Sequence, residues 1–276
     1  MHALNIERAD GTRRKVSLRR LRDHDAAAEP RGLEYEFEVL CLLERVGISA
    51  PRATYLDAAG KHFGVPAIVM TFLPGKTNVA PAETAPWTEA LAAALHSVHA
   101  ITLDTADLSI LKPSDIRGRI DDIAADTRDD SLAADVVEVL RAHCDRIEPM
   151  PATLIHNDYW AGNTIWNRDR LTGIIDWTHA RLGDPRNDVS ECRGALTFDH
   201  DEEVADQFLA AYERRLDRAL SDLWFFDLLR AVAAYLYYEF WLEGTRDLGI
   251  ELDPVATRQR LAAFLQHAID ASRASA

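Results

Sequence analysis

The chain has 276 residues, enough to bury a substantial core in one large domain or two lobes, and its 47% hydrophobic and 28% charged residues are ordinary for a globular protein. A formal net charge of −14 argues against a nucleic-acid partner, because such binding relies on a basic surface that neutralises phosphates. The acidic balance either steers a cationic substrate to a cleft or simply solvates the surface.

The N-terminus lacks a basic-then-apolar signal. Cys41, Cys144 and Cys192 are an odd number at wide spacing, which points to a reduced, cytoplasmic protein. In chain order, residues 2 to 9 alternate loosely, Asp10-Gly11 is a hairpin turn signal, and Lys15 to Arg20 resumes as a second antiparallel strand. Leu33, Phe37, Leu40 and Leu43 recur at helical spacing, so a helix is expected from Leu33 to Val46, stopped by Gly47. Pro66 to Gly75 is an apolar strand broken by Pro-Gly, and residues 76 to 86 read as a connector.

Trp87 to Ile101 is Ala- and Leu-rich at helical spacing. Two further helices are expected at Pro113 to about Asp126 and Leu132 to Arg146, with an Asp-rich turn between them. Beyond residue 188, helices are expected at Val204 to Ala219, Leu223 to Leu242 and Val255 to Arg273. Leu223 to Leu242 is the most apolar long stretch, but it holds Asp227, Arg230 and Glu239 and reads as a packed helix, not a membrane span. Its aromatics, Trp224, Phe225, Phe226, Tyr235, Phe240 and Trp241 among them, read mainly as core. Some of them, with Glu191, Asp199, Glu202 or Glu203, are candidates for lining an acceptor pocket.

The residues that carry chemistry gather between Leu154 and Asp188. Asp158 and Asn163 follow the Asp-x-x-x-x-Asn spacing of a kinase catalytic loop, and Asp176 ends the short apolar run Gly173-Ile174-Ile175. Phosphoryl transfer needs a carboxylate to hold an acceptor hydroxyl and take its proton, and Asp158 is the candidate base. It also needs hard oxygens for magnesium, and Asn163 and Asp176 supply one neutral and one charged. His156 reads as a brace for the loop. Two other readings stand beside this one: His-x-Asp as the start of a metallohydrolase set completed by His179 or His200, and Asp, Asn and Gly as ordinary turn residues.

The runs HNDYWAGNTIW, GIIDW and GDPRND together resemble the aminoglycoside phosphotransferase family, the small-molecule branch of the protein-kinase-like fold. The resemblance implies a bilobal α+β fold: a small antiparallel-sheet lobe at residues 1–75 and a mostly helical lobe at residues 76–276. It implies an ATP- or GTP-dependent enzyme that moves the γ-phosphate to a hydroxyl of a small molecule. Asp158 would be the base, and Asn163 and Asp176 the magnesium ligands. Val16-Ser17-Leu18-Arg19 falls where kinase-like folds carry Val-Ala-Ile-Lys, so Arg19 would contact phosphate and Glu36 would hold it there.

Arg19 as an edge-strand surface charge, and Glu34 or Glu38 as the partner, stay open. Backbone groups near Thr71 to Leu73 would meet the nucleotide base, with Met70 and Ile175 packed around it. His96 and His99 would be packing residues, and Asp184 and Asp188 would brace the loop. Asn157 departs from the family's usual Gly without removing a reacting group. No glycine precedes Gly11, so the expected phosphate-covering loop is absent; either the chain begins late or the nucleotide is covered in another way. That absence motivates the alternative of a non-catalytic nucleotide-binding pseudokinase.

Overall fold

The structure is a computed structural model that describes residues 2–7, 10–21, 32–127 and 129–274, the side chain of Asp247 excepted. The hairpin at Asp10-Gly11 forms: β1 (His2–Glu7) pairs antiparallel with β2 (Arg13–Arg20), with Glu7 opposite Arg13. Gly11 takes a φ of +79°, a conformation glycine adopts without the Cβ clash of other residues. Strands β3 (Ala53–Asp57) and β4 (Ala67–Thr71) complete an antiparallel sheet in the order β1-β2-β4-β3. Strand β2 is therefore interior, and Arg19 does not lie on a sheet edge.

Helix α1 (Gly32–Val46) buries Leu33, Glu36, Val39, Leu40 and Leu43, positions three and four apart that form one stripe. Gly47, with φ +78°, ends it in the left-handed conformation, and the Ile48 N–H donates back to the Leu43 carbonyl at 3.0 Å. Glu36 thus sits on the inward face of α1, while Glu38 is exposed.

After β4 the chain becomes mostly helical. Helix α2 (Thr84–His99) precedes α3 (Ile116–Ala125) and α4 (Ser131–His143). The Asp115 carboxylate caps α3 by accepting from the Gly118 N–H, and Asp130 caps α4 by accepting from Leu132 and Ala133. Two short antiparallel pairs follow. Strand β5 (Thr153–Ile155) pairs with β8 (Arg181–Gly183), and β6 (Thr164–Asn167) pairs with β7 (Arg170–Ile174). The β5–β6 and β7–β8 connections carry the residues singled out in the sequence.

Helices α5 (Arg186–Asp199) and α6 (Glu202–Leu216) come next, and α9 (Pro254–Ala274) closes the order. The single helix expected over Leu223 to Leu242 is instead two, α7 (Leu223–Leu236) and α8 (Tyr238–Asp247), broken at Tyr237. The physical reason is a change of environment. Residues of α7 are buried on almost every side, whereas Phe240 in α8 is 73% exposed, so no straight helix serves both segments. Among the described residues, no helix is long and apolar enough to cross a membrane.

Because Leu43 is fully buried on the stripe of α1 that also carries Glu36, Leu43→Ala should lower unfolding free energy by about 2–5 kcal/mol in urea titration. Glu38→Ala, on the exposed face, should stay within about 0.5 kcal/mol of the parent. Equal effects of the two would contradict the assigned helix face.

Candidate active site

The loop after β5 is built around one buried carboxylate. Asp188, in the first turn of α5, accepts from the His156 N–H at 2.7 Å and the Asn157 N–H at 2.6 Å, and meets His99 Nε2 at 3.1 Å. Burial works to raise its pKa, but His99 and the backbone donor outweigh that and hold the carboxyl below the usual range. His99 in turn meets the Tyr212 hydroxyl at 2.7 Å. The His156 ring packs 4.5 Å from Trp177, with Nε2 2.9 Å from the Ile175 carbonyl. Complete burial lowers its pKa, so the ring is a neutral brace.

Asn157 explains itself at the same place. Its φ is +64°, the left-handed region that glycine or asparagine tolerates. Arg230 Nη2 donates to the Asn157 carbonyl at 2.8 Å, and Nη1 to its Oδ1 at 3.3 Å. The Arg230 guanidinium also pairs with Glu191 on α5. The backbone just before Asp158 is therefore held by Asp188 and by Arg230.

Asn163 Nδ2 donates to the Asp158 carbonyl and to its Oδ2, each at 2.9 Å. The Ile175 N–H donates to the Asn163 carbonyl at 2.9 Å, so this loop and the one bearing Asp176 are tied together. Burial, followed by the charges of Glu191 and Asp176, pushes Asp158 up to about 7, against Arg230 and Asn163.

Across the site, Arg19 Nη1 donates to Asp176 Oδ1 at 2.6 Å and to Glu36 Oε1 at 3.2 Å. Asp176 holds a φ of +62° and also accepts from the Thr178 hydroxyl at 2.8 Å. Burial opposes its ionisation, but Arg19 and Thr178 outweigh it and keep its pKa below the usual value. Glu36, 2% exposed, is pushed to about 7 mainly by burial, despite Arg19. Of the three glutamates left open in the sequence, Glu36 is seen paired with Arg19.

Magnesium takes hard oxygens, commonly one or two protein ligands with water and phosphate. Asp176 offers an ionised carboxylate, and Asn163, its Nδ2 committed to Asp158, offers its amide oxygen, so the donor set fits such an ion. The metallohydrolase set finds no counterpart: among the described residues no cluster of three or more His, Cys, Asp or Glu side chains could hold a metal. His200 Nε2 lies 3.0 Å from the Val79 carbonyl instead.

Met70 is buried where β4 runs toward the bend at Pro74-Gly75. Thr71 is the last residue of that strand. Its N–H donates to the Arg52 carbonyl at 2.9 Å and its hydroxyl accepts from the Arg52 N–H at 2.9 Å, so its backbone donor is already committed to the neighbouring segment. Leu73 packs against Gly173, where an added Cβ would come within 2.6 Å of its methyl. Ile175 is half-buried between Gly173 and Asp176.

Asp158 also lines a cavity of about 820 Å³, whose walls include Arg119, Glu191, Asp199, Arg230 and Trp241. Glu191 and Asp199 are thus in the cavity. Glu202 and Glu203 are not: Glu202 pairs with His267 at 2.8 Å and Glu203 is exposed. Trp224, Phe225, Phe226 and Tyr235 are buried in the core, whereas Phe240 and Trp241 line the cavity. Arg119 and Arg230 were not singled out as site residues. The available signal for Arg230 was a cation in a helix whose other charged residue is Asp227.

Asp188→Asn should lower unfolding free energy by about 3–5 kcal/mol, because donors from three residues converge on a buried charge. Asn157→Gly keeps the left-handed backbone and should stay within about 1 kcal/mol. Chemical denaturation reads both, and an unchanged Asp188→Asn variant would remove the brace from the account.

The phosphotransferase enzyme family model matches residues 2–224. A homoserine kinase of Beijerinckia indica is 27% identical over 194 residues, 64% of this chain and 57% of that protein. The chain spans about half the length of the curated relatives it matches. A crystal structure described as a putative aminoglycoside phosphotransferase from Ralstonia eutropha superposes with a TM-score of 0.67 at 15% identity, covering 94% of this chain and 86% of that one. An amicoumacin kinase solved with AMP-PNP, calcium and its antibiotic superposes with a TM-score of 0.62 at 14% identity, covering 97% and 84%. The α+β protein-kinase-like fold is common to these structures, and with a family match over most of its length the chain belongs to the phosphotransferase enzyme family.

Proposed function

We propose that the protein transfers the γ-phosphate of ATP or GTP to a hydroxyl of a small molecule, with magnesium. The observation that carries this reading is that Asp158, which lines the 820 Å³ cavity, is bonded to Asn163 and feels the charge of Asp176, itself paired with Arg19. Family membership supports it, as does the binding of a nucleotide analogue with a divalent cation by the amicoumacin kinase of similar fold. Homoserine, the substrate named for the curated relatives, belongs among the first acceptors to try.

The chemistry follows from the roles of the side chains. The acceptor hydroxyl lies against Asp158, its oxygen forms the new bond to the γ-phosphorus, and its proton passes to the Asp158 carboxylate as the nucleoside diphosphate leaves. The environment that raises the Asp158 pKa also makes that carboxylate a stronger proton acceptor. Magnesium, when bound, neutralises phosphate charge, and Asn163 and Asp176 would hold it. Arg19, oriented by Glu36, would contact phosphate as a planar fork rather than as the point charge of a lysine.

Residues 1–75 act in this reading as the nucleotide lobe, with Met70, the backbone from Phe72 to Leu73, and Ile175 around the base. Thr71 contributes through its place in β4, because its N–H is engaged. Residues 76–276 carry the catalytic loop and the acceptor cavity.

Asp158→Asn should reduce phosphoryl transfer by about 10²- to 10⁴-fold while leaving nucleotide affinity nearly unchanged. Full activity in that variant would remove Asp158 as the base. Asp176→Asn should weaken nucleotide binding in magnesium, read by calorimetric titration, and an unaltered affinity would remove its ligand role.

A further inference from the structure

Helix α3 turns an arginine inward. Ile116, Arg119, Ile120 and Ile123 fall at the three- and four-residue spacing of one helix stripe, and Ile120 and Ile123 are buried in the core that α3 shares with α4 and α7. A guanidinium therefore stands where the helix otherwise carries isoleucine, and it lines the cavity that also holds Asp158. Arg119 is half-buried and its Nε is enclosed without a hydrogen-bond partner; among the described residues its side chain makes no hydrogen bond or ion pair. Burial pulls its pKa down and the charge of Arg230 pulls it further, against Glu191 and Asp122.

The charges around Arg119 are otherwise matched. Arg230 donates through Nε to Glu191 and through both Nη atoms to Asn157, so Glu191 has its counter-charge there. Asp122 is exposed to solvent. Asp158, pushed up to about 7, carries only part of a negative charge near neutral pH. Asp199, also pushed up to about 7 by burial, and Glu243 are the other carboxylates of the lining. Among the described residues of that lining, Arg119 and Arg230 are the two guanidinium groups, and Arg230 alone is paired with a carboxylate.

A guanidinium in such a place favours an anionic ligand. It gains a counter-charge where water screens little, and its planar fork takes a carboxylate through two parallel N–H bonds. Asp158 and Glu191 set a limit on that anion. The cost of taking an anion from water grows with the square of its charge, while its attraction to Arg119 grows only in proportion, so a singly charged carboxylate is favoured over a phosphate dianion. Glu191 and Arg230 are the charges felt both by Arg119 and by Asp158, so this one ion pair lies between the two ends of the acceptor. The spacer is therefore short.

We propose that Arg119 binds a carboxylate of the acceptor, and that the acceptor is a short hydroxy acid with its hydroxyl at Asp158 and its carboxylate at Arg119. This rests on the phosphotransferase reading of the same cavity and narrows it to a substrate class.

The test is calorimetric titration of the full chain with γ-hydroxybutyrate, its neutral amide, and hydroxypropyl phosphate. The acid should bind at least about tenfold more tightly than the amide, which matches it in length and shape but not in charge. Arg119→Met keeps an unbranched stem and removes the charge, so it should weaken the acid to the level of the amide and leave the amide unchanged. Arg119→Lys, a point charge in place of a fork, should recover part of the preference. With no ion pair to lose, Arg119→Met should melt no lower than the parent without ligand. Equal affinities for acid and amide in the parent, a preference that survives in Arg119→Met, no recovery in Arg119→Lys, or tighter binding of hydroxypropyl phosphate than of the acid would each overturn the proposal. A lower melting temperature of Arg119→Met with equal loss of acid and amide binding would make Arg119 a structural residue instead. A separate titration with ATP and magnesium distinguishes the two readings: absence of nucleotide binding would count against phosphoryl transfer, while the difference between acid and amide reports the carboxylate subsite by itself.

Discussion

Arg19 joins three parts of the molecule that are far apart in sequence: the second strand of the sheet, the helix that carries Glu36, and the loop that carries Asp176. Its guanidinium faces a buried carboxylate on one side and a less buried one on the other. The division is unequal. Asp176, at 2.6 Å, is held ionised, while Glu36, at 3.2 Å, is pushed toward protonation by burial. Without nucleotide, Arg19 and Asp176 satisfy each other. In the proposed reaction each would exchange the other for a new charge of opposite sign, Arg19 for phosphate and Asp176 for a cation, so the ion pair would couple the two binding events.

The catalytic loop depends on a second buried charge in the same way. Asp188 orders the backbone at His156 and Asn157 from below, and Arg230 holds the Asn157 carbonyl from the cavity side. Asp158 follows directly and lines the cavity. Its carboxylate shares the Asn163 amide, so the candidate base and one candidate metal ligand are positioned by the same hydrogen bond. A loop fixed this closely can tolerate an asparagine at a left-handed position, since the side chain there gains a contact to Arg230.

Much of this was legible in the sequence, for reasons that differ by residue. Asp158, Asn163 and Asp176 lie on tight connections between short strands, where spacing along the chain nearly determines proximity. Glu36 was implied by the family resemblance with Glu34 and Glu38 left open, and its place on the buried stripe of α1 sets it against Arg19. Arg230 could not, since it meets Asn157 across 73 positions, a tertiary contact without local signature. Helix α5 has no counterpart among the helices expected from the sequence, because many of the residues it buries are polar: Arg186, Asp188, Ser190, Arg193, Thr197 and Asp199. Patterns of apolar residues do not register a helix whose inward face is hydrogen-bonded. The break at Tyr237 was hidden for the opposite reason, as apolar residues continue across it while their surroundings change from core to cavity wall.

The most direct test of the coupled ion pair is the thermal unfolding of the chain with ATP alone, magnesium alone, and both. A ligand at a hundred times its dissociation constant stabilises a fold by about 2.7 kcal/mol, an upward shift that such a scan resolves. The account predicts a clear shift with ATP and magnesium together that exceeds the sum of the separate effects. No shift, or the same shift with ATP whether or not magnesium is present, would contradict a site in which Arg19 and Asp176 exchange each other for phosphate and metal.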